Sequence, residues 1–568
     1  MQSRREFLRS LSLAVVAAST APISALGDAR RRLSADLVVY GATSAGVAAA
    51  VQAARLGRSV VLLEPSRLIG GMTASGIGAT DIQSEQYCSG FAREFYQRVY
   101  KHYGDASFWH YCTRAEFVSH SPVLRASPDK IPIWHKFEPH VASRIFVDML
   151  REAGVRIVMG ERLDLRQGVV KHGAKIVSLT MESGMIVSGG VFVDATYEGD
   201  LLAKAGVHYT IGRESNEVYG EAYNGVRPGS PLRIDPFVRP GDPSTGLLPG
   251  VAAASPGAAG QADTRVQAYN FRLCLTDVPE NRVPIVKPDG YDPRLYESMA
   301  RTLSRLFKPM PPAVYSTDPN HGRILMMTPL PNCKVDLNTN AGTVSADLVG
   351  ASYAWPDGDY ALRDRLWQQH ASYTKGLLWF AANDPRMTPA SRREVTRWGL
   401  AGDEFADTNF WPPHLYVREA RRMVSDYVMT EHHSRRSASA DDGVAVASYP
   451  IDCHCVSYYV GEAGQTMSEG NLFAPNHPFA ISFRSIRPRS RECENLLVTC
   501  AVSATHVAFS AIRMEPVFMM LGQAAGTAAS IALTDRITVQ DVPYDRLRAQ
   551  LRRDGMVLSP LPDAVHKA

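Results

Sequence analysis

The sequence predicts an α/β fold that opens with a Rossmann-like βαβ unit, and three observations near its start support this. A short β-rich run at 37–40 leads into a glycine-containing turn at 41–46. Small apolar residues at 45–56 then suit a buried helix. A second apolar run, 59–63, ends on Glu64. A strand, a tight turn, a helix and a second strand in this order are the unit from which parallel sheets are built.

Further along the chain, hydrophobic patterning predicts more elements of the same kind. A helix is expected at 141–153, a long loop at 228–260, and strands at 155–159, 175–181, 185–193 and 495–499. A tightly packed helix is expected at 516–532, where a proline suits the first helical turn. Both ends of the chain are therefore predicted to contribute strands to one sheet and helices to the layers beside it.

Composition and charge exclude some classes of partner. Of the 568 residues, 45% are hydrophobic and 21% are charged, which is typical of a globular protein. Lys and Arg number 61 against 57 Asp and Glu, which gives a net charge of +4. This balance gives no basic patch, so no nucleic-acid partner is expected.

The N-terminus has the layout of a twin-arginine signal peptide. Arg4 and Arg5 precede a short apolar run at 11–18, and small residues follow as far as Gly27. This run is too short to span a bilayer, and no other stretch is predicted to be transmembrane. The sequence therefore predicts a leader at 1–27, a periplasmic or secreted enzyme, and no stable membrane insertion of the mature chain. A disordered basic tail is the alternative.

The eight cysteines leave two questions open. In an exported protein some could form disulfides, but the pairing cannot be read from the sequence. Cys453, His454 and Cys455 suggest a metal site, but zinc sites space their cysteines more widely and need a second ligand pair. No metal is therefore predicted.

The turn at 41–46 has the chemistry of a dinucleotide-binding loop. Backbone N–H groups at a helix N-terminus bind a pyrophosphate when no side chain intervenes, and Gly41 and Gly46 meet this need. Thr43 stands where a second glycine is usual. Glu64 ends the next strand, where an acidic residue accepts hydrogen bonds from a ribose. An ordinary βαβ turn without a ligand is the alternative.

Three other stretches extend this pattern: 67–72, 192–200 and 522–526. Together with the turn, they resemble the FAD-dependent oxidoreductases with a glutathione-reductase-type FAD domain. Further matching stretches are 267–272, 331–338, 416–422, 449–452 and 503–516. The large bacterial family labelled FAD-dependent oxidoreductase also shows threonine at the position of Thr43.

This resemblance implies the architecture and the cofactor site. A three-layer ββα/α FAD-binding domain would comprise 36–210 and 481–540, with a mixed α+β substrate domain inserted at 211–480 and a C-terminal tail at 541–568. No second glycine fingerprint indicates NAD(P)H. The predicted FAD-contacting residues are Gly41, Thr43, Ser44, Gly46, Glu64, Gly70, Gly71, Met72, Asp194, Asp200, Gly522 and Gln523.

The segment between the last strand and the last helix is expected to border the flavin ring. His506 and Arg513 are its strongly functional side chains and are the predicted catalytic residues. His506 would accept the proton released as a hydride leaves the substrate. The alternatives are a structural histidine and a buried Arg513–Glu515 ion pair.

Four side chains are candidates for substrate binding. Arg418 would share a helix face with Arg422 and bind a carboxylate or phosphate, although a paired or solvated face is the alternative. Asp452, His454 and Arg484 lie where the chain returns to the FAD domain.

Three functions remain open from the sequence. The leading one is oxidation of a small organic molecule by hydride transfer to flavin, with oxygen or an envelope carrier as the electron acceptor. The second is a flavin-dependent reductase of activated double bonds, as in soluble fumarate reductases. The third is an exported protein whose flavin is structural.

Overall fold

The structure is a computed structural model that describes residues 31–120, 133–232, 234–306, 325–338, 340–341 and 344–561. The predicted leader at 1–27 lies outside these residues. The helices are α1 Ser44–Arg55, α2 Gly90–His102, α3 Arg114–His120, α4 Pro139–Glu152, α5 Asp200–Lys204, α6 Asn216–Tyr219, α7 Glu297–Leu306, α8 Tyr360–Asn383, α9 Pro389–Arg397, α10 Glu431–Ser434, α11 His506–Ile512, α12 Glu515–Asp535 and α13 Tyr544–Arg553.

The strands of the first half are β1 Arg32–Tyr40, β2 Val60–Glu64, β3 Arg156–Met159, β4 Val169–His172, β5 Lys175–Thr180, β6 Ile186–Asp194, β7 Tyr209–Thr210, β8 Ser230–Leu232, β9 Phe237–Arg239, β10 Asp242–Leu247, β11 Val251–Ala252, β12 Leu273–Thr276 and β13 Arg282–Val283. Those of the second half are β14 Met327–Leu330, β15 Lys334–Leu337, β16 Asn340–Ala341, β17 Val344–Ser345, β18 Gly399–Ala401, β19 Arg422–Met423, β20 Gly443–Ala447, β21 Ile451–Cys453, β22 Ser457–Val460, β23 Thr466–Glu469, β24 Leu472–Ala474, β25 Phe479–Ser482 and β26 Leu496–Val498.

The largest sheet confirms the predicted α/β fold. Its strand order is β3-β2-β1-β6-β5-β4, and β26 pairs with β6 near the carboxyl end of that strand. Strands β1, β2, β3, β6 and β26 pair in parallel, whereas β4 and β5 form an antiparallel edge. The carboxyl ends of β1, β2 and β6 therefore meet along one edge, where ligands bind in open α/β sheets.

Helices α1 and α12 pack very closely in the layer beside this sheet. A Cβ added to Gly522 would lie 2.1 Å from the Ala45 carbonyl oxygen, and one on Gly526 would lie 2.4 Å from the Ala49 oxygen. Glycine is required at both positions because the two helix backbones touch there. Helix α12 is also long and apolar enough to cross a membrane. However, 89% of its most apolar 18-residue stretch is buried inside the protein, as in a core helix.

The inserted region has a sheet and a hydrophobic core of its own. Antiparallel strands run in the order β13-β18-β12-β15-β14, and α8 and α9 contribute to the core on this side. Strands β20 and β25 instead contribute to the core that contains α1 and α12. The domain boundaries drawn from the sequence stay a prediction.

Two local predictions are wrong. The stretch predicted as a loop at 228–260 contains the short strands β8 to β11. Arg418 and Arg422 do not share a helix face, because the segment 416–422 is not helical and its charged side chains reach buried partners on several elements. The segment 541–568 contains α13, which buries Leu547 and Leu551 in the main core.

Candidate functional site

The turn that follows β1 is shaped by contacts that leave no room for side chains. Gly41 has φ +97°, and a Cβ there would lie 2.9 Å from the carbonyl carbon of Ala195. A Cβ on Gly46 would lie only 1.9 Å from the Gly41 oxygen. Thr43 accepts a hydrogen bond from Gly46 N at 3.2 Å and donates one to the Ala195 oxygen at 2.7 Å. Thr43 thus caps α1 and ties the turn to β6, which explains threonine at this position.

Glu64 fixes the same turn from the end of β2. Its Oε2 accepts a hydrogen bond from Ala42 N at 2.6 Å, and its Oε1 accepts one from Ser66 N at 2.7 Å. Each carboxylate oxygen retains a second lone pair. Glu64 can therefore bind the hydroxyl groups of a ribose while it holds the loop in place.

A pocket of about 210 Å³ opens beside Gly41, Thr43 and Glu64. Asp200 lines it as well, and Trp355, Tyr360, Arg363 and His414 line it from the inserted region. The N-terminus of α1, the bare glycine backbone and the carboxylate make this pocket suitable for the ADP half of FAD. The sequence did not indicate that residues of the inserted region would line this pocket.

Glu515, at the start of α12, joins the second glycine segment to the turn. Its Oε2 accepts hydrogen bonds from Ser44 Oγ at 2.7 Å and from Thr73 Oγ1 at 2.6 Å, and its Oε1 accepts one from Tyr197 Oη at 2.8 Å. Burial raises the pKa of Glu515. Tyr197 Oη also accepts a hydrogen bond from Met72 N at 2.9 Å.

Gly70 and Gly71 begin this second segment in left-handed conformations, with φ +110° and +55°. A Cβ on Gly71 would lie 2.4 Å from Tyr197 Oη. The predicted contacts of Ser44, Gly70, Gly71 and Met72 with FAD stay predictions, and the structure brings all four next to the dinucleotide turn.

Other predicted FAD contacts are better explained by the fold. Asp194 is fully buried and accepts hydrogen bonds from Thr196 and from Leu202 N, so it shapes the turn after β6; burial raises its pKa to about 6. Gly522 is a helix-packing position, and Gln523 bonds to Phe91 N at 2.7 Å. None of the three residues lines the pocket, and their contacts with FAD stay predictions.

Asp200 takes part in a buried ion-pair network. Arg363 bonds to both of its carboxylate oxygens, at 2.6 and 2.9 Å, and Arg421 adds a contact at 2.8 Å. The two guanidinium groups outweigh burial and hold the pKa of Asp200 below its usual value. Asp200 therefore fastens the inserted region to the pocket rim.

A second polar cluster lies around the ring of Tyr416. Arg513 donates hydrogen bonds to Tyr416 Oη at 2.8 Å and to Asp452 Oδ2 at 3.2 Å. Arg418 lies over the same ring, 4.8 Å from its centroid. The predicted alternative of an Arg513–Glu515 pair is wrong, because Arg513 pairs with Asp452 instead. Met72 and Ile77 pack against Tyr416, which joins this cluster to the second glycine segment.

His454 lies between two carboxylates in this cluster. Its Nδ1 is 2.7 Å from Asp347 Oδ2, and its Nε2 is 3.6 Å from Asp452 Oδ2. Arg418 forms an ion pair with Asp347 at 3.0 Å. Burial and the Arg418 charge oppose protonation of His454, but the two carboxylates outweigh them and raise its pKa. Sequence reasoning missed Asp347, which belongs to none of the matching stretches, and it noted Tyr416 only as part of the stretch 416–422, without a role of its own.

His506 is the first residue of α11 and is completely buried. Its Nδ1 lies 2.8 Å from Glu419 Oε2, and Gln267 Nε2 bonds to the same oxygen. Despite burial, Glu419 and Cys453 raise the pKa of His506 to about 9. A raised pKa and complete enclosure both make an imidazole a poor proton acceptor. They favour the structural alternative for His506, and its catalytic role stays a prediction.

Two further side-chain clusters are held together by ion pairs. Arg484 is one-third exposed, pairs with Asp442 at 3.0 Å and stacks on Tyr427, and the substrate-binding role of Arg484 stays a prediction. Elsewhere, Glu138, His140 and Glu404 converge as metal ligands would. The Lys334 ammonium lies 2.7 Å from both glutamates and supplies the positive charge there.

The fold and the pocket together define a dinucleotide-binding flavoprotein. Residues 36–551 match the family described as FAD dependent oxidoreductase. The chain belongs to this family and is an FAD-dependent enzyme, as the resemblance implied. No curated protein sequence matches the chain.

Solved structures match more weakly. The L-amino acid deaminase from Proteus vulgaris is 15% identical, with 34% of this chain and 55% of the deaminase covered and a TM-score of 0.22. The chain thus spans about half the length of that relative. THI4 from Thermovibrio ammonificans is also 15% identical, with 38% of this chain and 75% of THI4 covered and a TM-score of 0.22. Likeness at this level carries no argument about the substrate.

Proposed function

We propose that the protein is an exported FAD-dependent oxidoreductase that oxidises a small organic substrate beside the Tyr416 cluster. The observation that supports this most directly is the Asp347–His454 pair. A histidine whose Nδ1 is held by a carboxylate presents its Nε2 as a proton acceptor. Bound FAD supplies the acceptor for the hydride that leaves the same substrate carbon.

The two arginines of the cluster provide a means of holding the substrate. Within the part of the chain that the structure describes, the Nε atoms of Arg418 and Arg513 are buried without a hydrogen-bond acceptor. A buried donor without a partner costs about 1–3 kcal/mol, so an oxygen atom that binds there recovers that free energy. A substrate with a carboxylate or hydroxyl group beside its oxidised carbon fits this need.

Asp452 connects His454 to solvent. Its side chain is about a quarter exposed, whereas that of His454 is only 9% exposed. Despite burial, His454 and Arg513 hold the pKa of Asp452 well below its usual value, so it stays ionised. A proton taken up at His454 Nε2 could leave past this carboxylate without exposing the reacting carbon to water.

Anaerobic mixing of the purified yellow protein with alcohols, hydroxy acids, amines and amino acids tests this function. We expect at least one of these substrates to bleach the flavin absorbance, and oxygen or an artificial carrier to restore it. If none bleaches it, while photoreduced protein is reoxidised by an activated alkene such as fumarate, the enzyme is a reductase and the proposal fails. If neither reaction occurs, the flavin is structural.

Export is a separate part of the proposal and rests on Arg4 and Arg5. Replacing both by Lys should leave the precursor in the cytoplasm, because twin-arginine transport requires that pair. Immunoblots of periplasmic and cytoplasmic fractions measure this, with Arg9→Lys as the matched control. Normal export of the double variant would show that this route is not used.

A further inference from the structure

The segment that precedes α3 lies directly against the turn between β14 and β15. Asn332 Oδ1 accepts a hydrogen bond from His110 N at 2.6 Å, and Asn332 Nδ2 donates one to the Phe108 oxygen at 2.9 Å. The Cys333 thiol points to the Tyr111 oxygen at 3.5 Å. Two parts of the chain more than two hundred residues apart are thus held in a fixed register.

This register puts two cysteine thiols side by side. The Cys333 sulfur lies 3.5 Å from the carbonyl oxygen of Tyr111, the residue directly before Cys112, so the two side chains meet. Both are partly exposed. The other cysteines, at 88, 274, 453, 455, 493 and 500, are all buried. An oxidant in solution can therefore reach this pair, whereas the buried thiols are protected.

We propose that Cys112 and Cys333 form a disulfide bond that ties the FAD domain to the inserted domain once the protein reaches an oxidising compartment. The contacts that hold residues 108–111 against Asn332 and Cys333 carry this proposal, because they bring the two thiols together. It draws on the proposed export only for the place where the bond forms, since disulfides persist outside the reducing cytoplasm. Because the thiols are already paired in the folded chain, the bond can form after transport of a folded protein.

The surroundings of the two sulfurs determine which thiol reacts first with an oxidant. The hydrogen bond from Cys333 and the backbone N–H groups of Asn332 and Cys333 lower the pKa of Cys112, although burial opposes them. The neighbouring Cys112 sulfur raises the pKa of Cys333. Cys112 therefore loses its proton more readily than Cys333 and is the attacking sulfur.

The reaction balances with a disulfide donor as oxidant. The Cys112 thiolate attacks one sulfur of the donor and releases one donor thiolate, which leaves a mixed disulfide. Cys333 then loses its proton and attacks the Cys112 sulfur, which releases the second donor thiolate. The two cysteines are oxidised by two electrons, and the donor disulfide is reduced to two thiols.

Oxidised glutathione is the probe, applied to the FAD-loaded enzyme. Non-reducing peptide mapping should give one linked peptide pair, Cys112 with Cys333, and denatured protein should show two fewer alkylatable thiols. The melting temperature should be about 2–8 °C higher in the oxidised enzyme than in the reduced enzyme.

Cys112→Ala and Cys333→Ala are the control variants. Either one should abolish the linked peptides and the effect of reductant on melting, whatever its own melting temperature. A wild-type enzyme that keeps both thiols free, or that links either to glutathione or to another cysteine, would overturn the proposal. The proposed substrate oxidation is measured by flavin bleaching and can fail independently of this result.

Discussion

Replacing His454 by Gln is expected to lower the rate of flavin reduction by substrate by about 10²–10⁴-fold, the usual contribution of a positioned proton acceptor. Glutamine has a similar size but cannot accept the proton, so the variant should stay folded and retain FAD. Anaerobic stopped-flow absorbance of FAD-saturated protein measures the rate. A rate equal to that of the wild type would show that the acceptor lies elsewhere.

His506→Gln is the matched control, because His506 also has a carboxylate on Nδ1 but is completely enclosed. We expect His506→Gln to lower the melting temperature and to change the reduction rate much less than His454→Gln does. If His506→Gln instead lowers the rate and His454→Gln does not, His506 is the proton acceptor.

The pH dependence of the wild-type rate provides a further check. Only neutral His454 accepts a proton, and Asp347 and Asp452 raise its pKa. The rate should therefore fall as the pH drops through this raised pKa and reach its plateau on the alkaline side. This dependence should disappear in His454→Gln.

Replacing Gly46 by Ala is expected to weaken FAD binding by about 10–100-fold, because forcing an extra carbon into a packed site costs about 1–3 kcal/mol. The added Cβ would lie 1.9 Å from the Gly41 oxygen, so the turn that receives the pyrophosphate must open. Equilibrium titration of apoprotein with FAD, followed by flavin fluorescence, measures the affinity.

Gly57→Ala is the control at the other end of the same helix. Nothing lies within 4 Å of its added Cβ, but its φ of +82° makes the substitution strained. It should cost about 1–2 kcal/mol of stability and leave FAD affinity unchanged. Equal losses of affinity in both variants would mean that the helix as a whole, and not the turn, limits binding.

The cofactor half of the site was largely predictable because its determinants are local. Gly41, Gly46 and Glu64 lie within one βαβ unit, and the requirement for a bare turn at a helix N-terminus can be read from residue types. Gly522 shows the limit of this reasoning. The sequence alone does not distinguish a glycine that makes room for a phosphate from one that makes room for another helix.

The proposed substrate half of the site depends on contacts between distant segments. Asp347, Tyr416 and His454 come from separate parts of the inserted region and meet Arg513 from the last part of the FAD domain. Arg418 and Arg422 have helical spacing, yet their segment is not helical, because buried ion pairs outweigh a weak local preference. Sequence periodicity cannot anticipate such partners.

The sequence by itself determined the α/β class, the dinucleotide turn, the FAD family and the arginine pair at the N-terminus, because each depends on neighbouring residues. Only the tertiary structure distinguishes the two histidines that are candidate proton acceptors. His454 and His506 are the same residue type, each beside a carboxylate, and they differ in enclosure and in charged neighbours. Those neighbours come from chain segments that only folding brings together, and they set the pKa and the access of each ring.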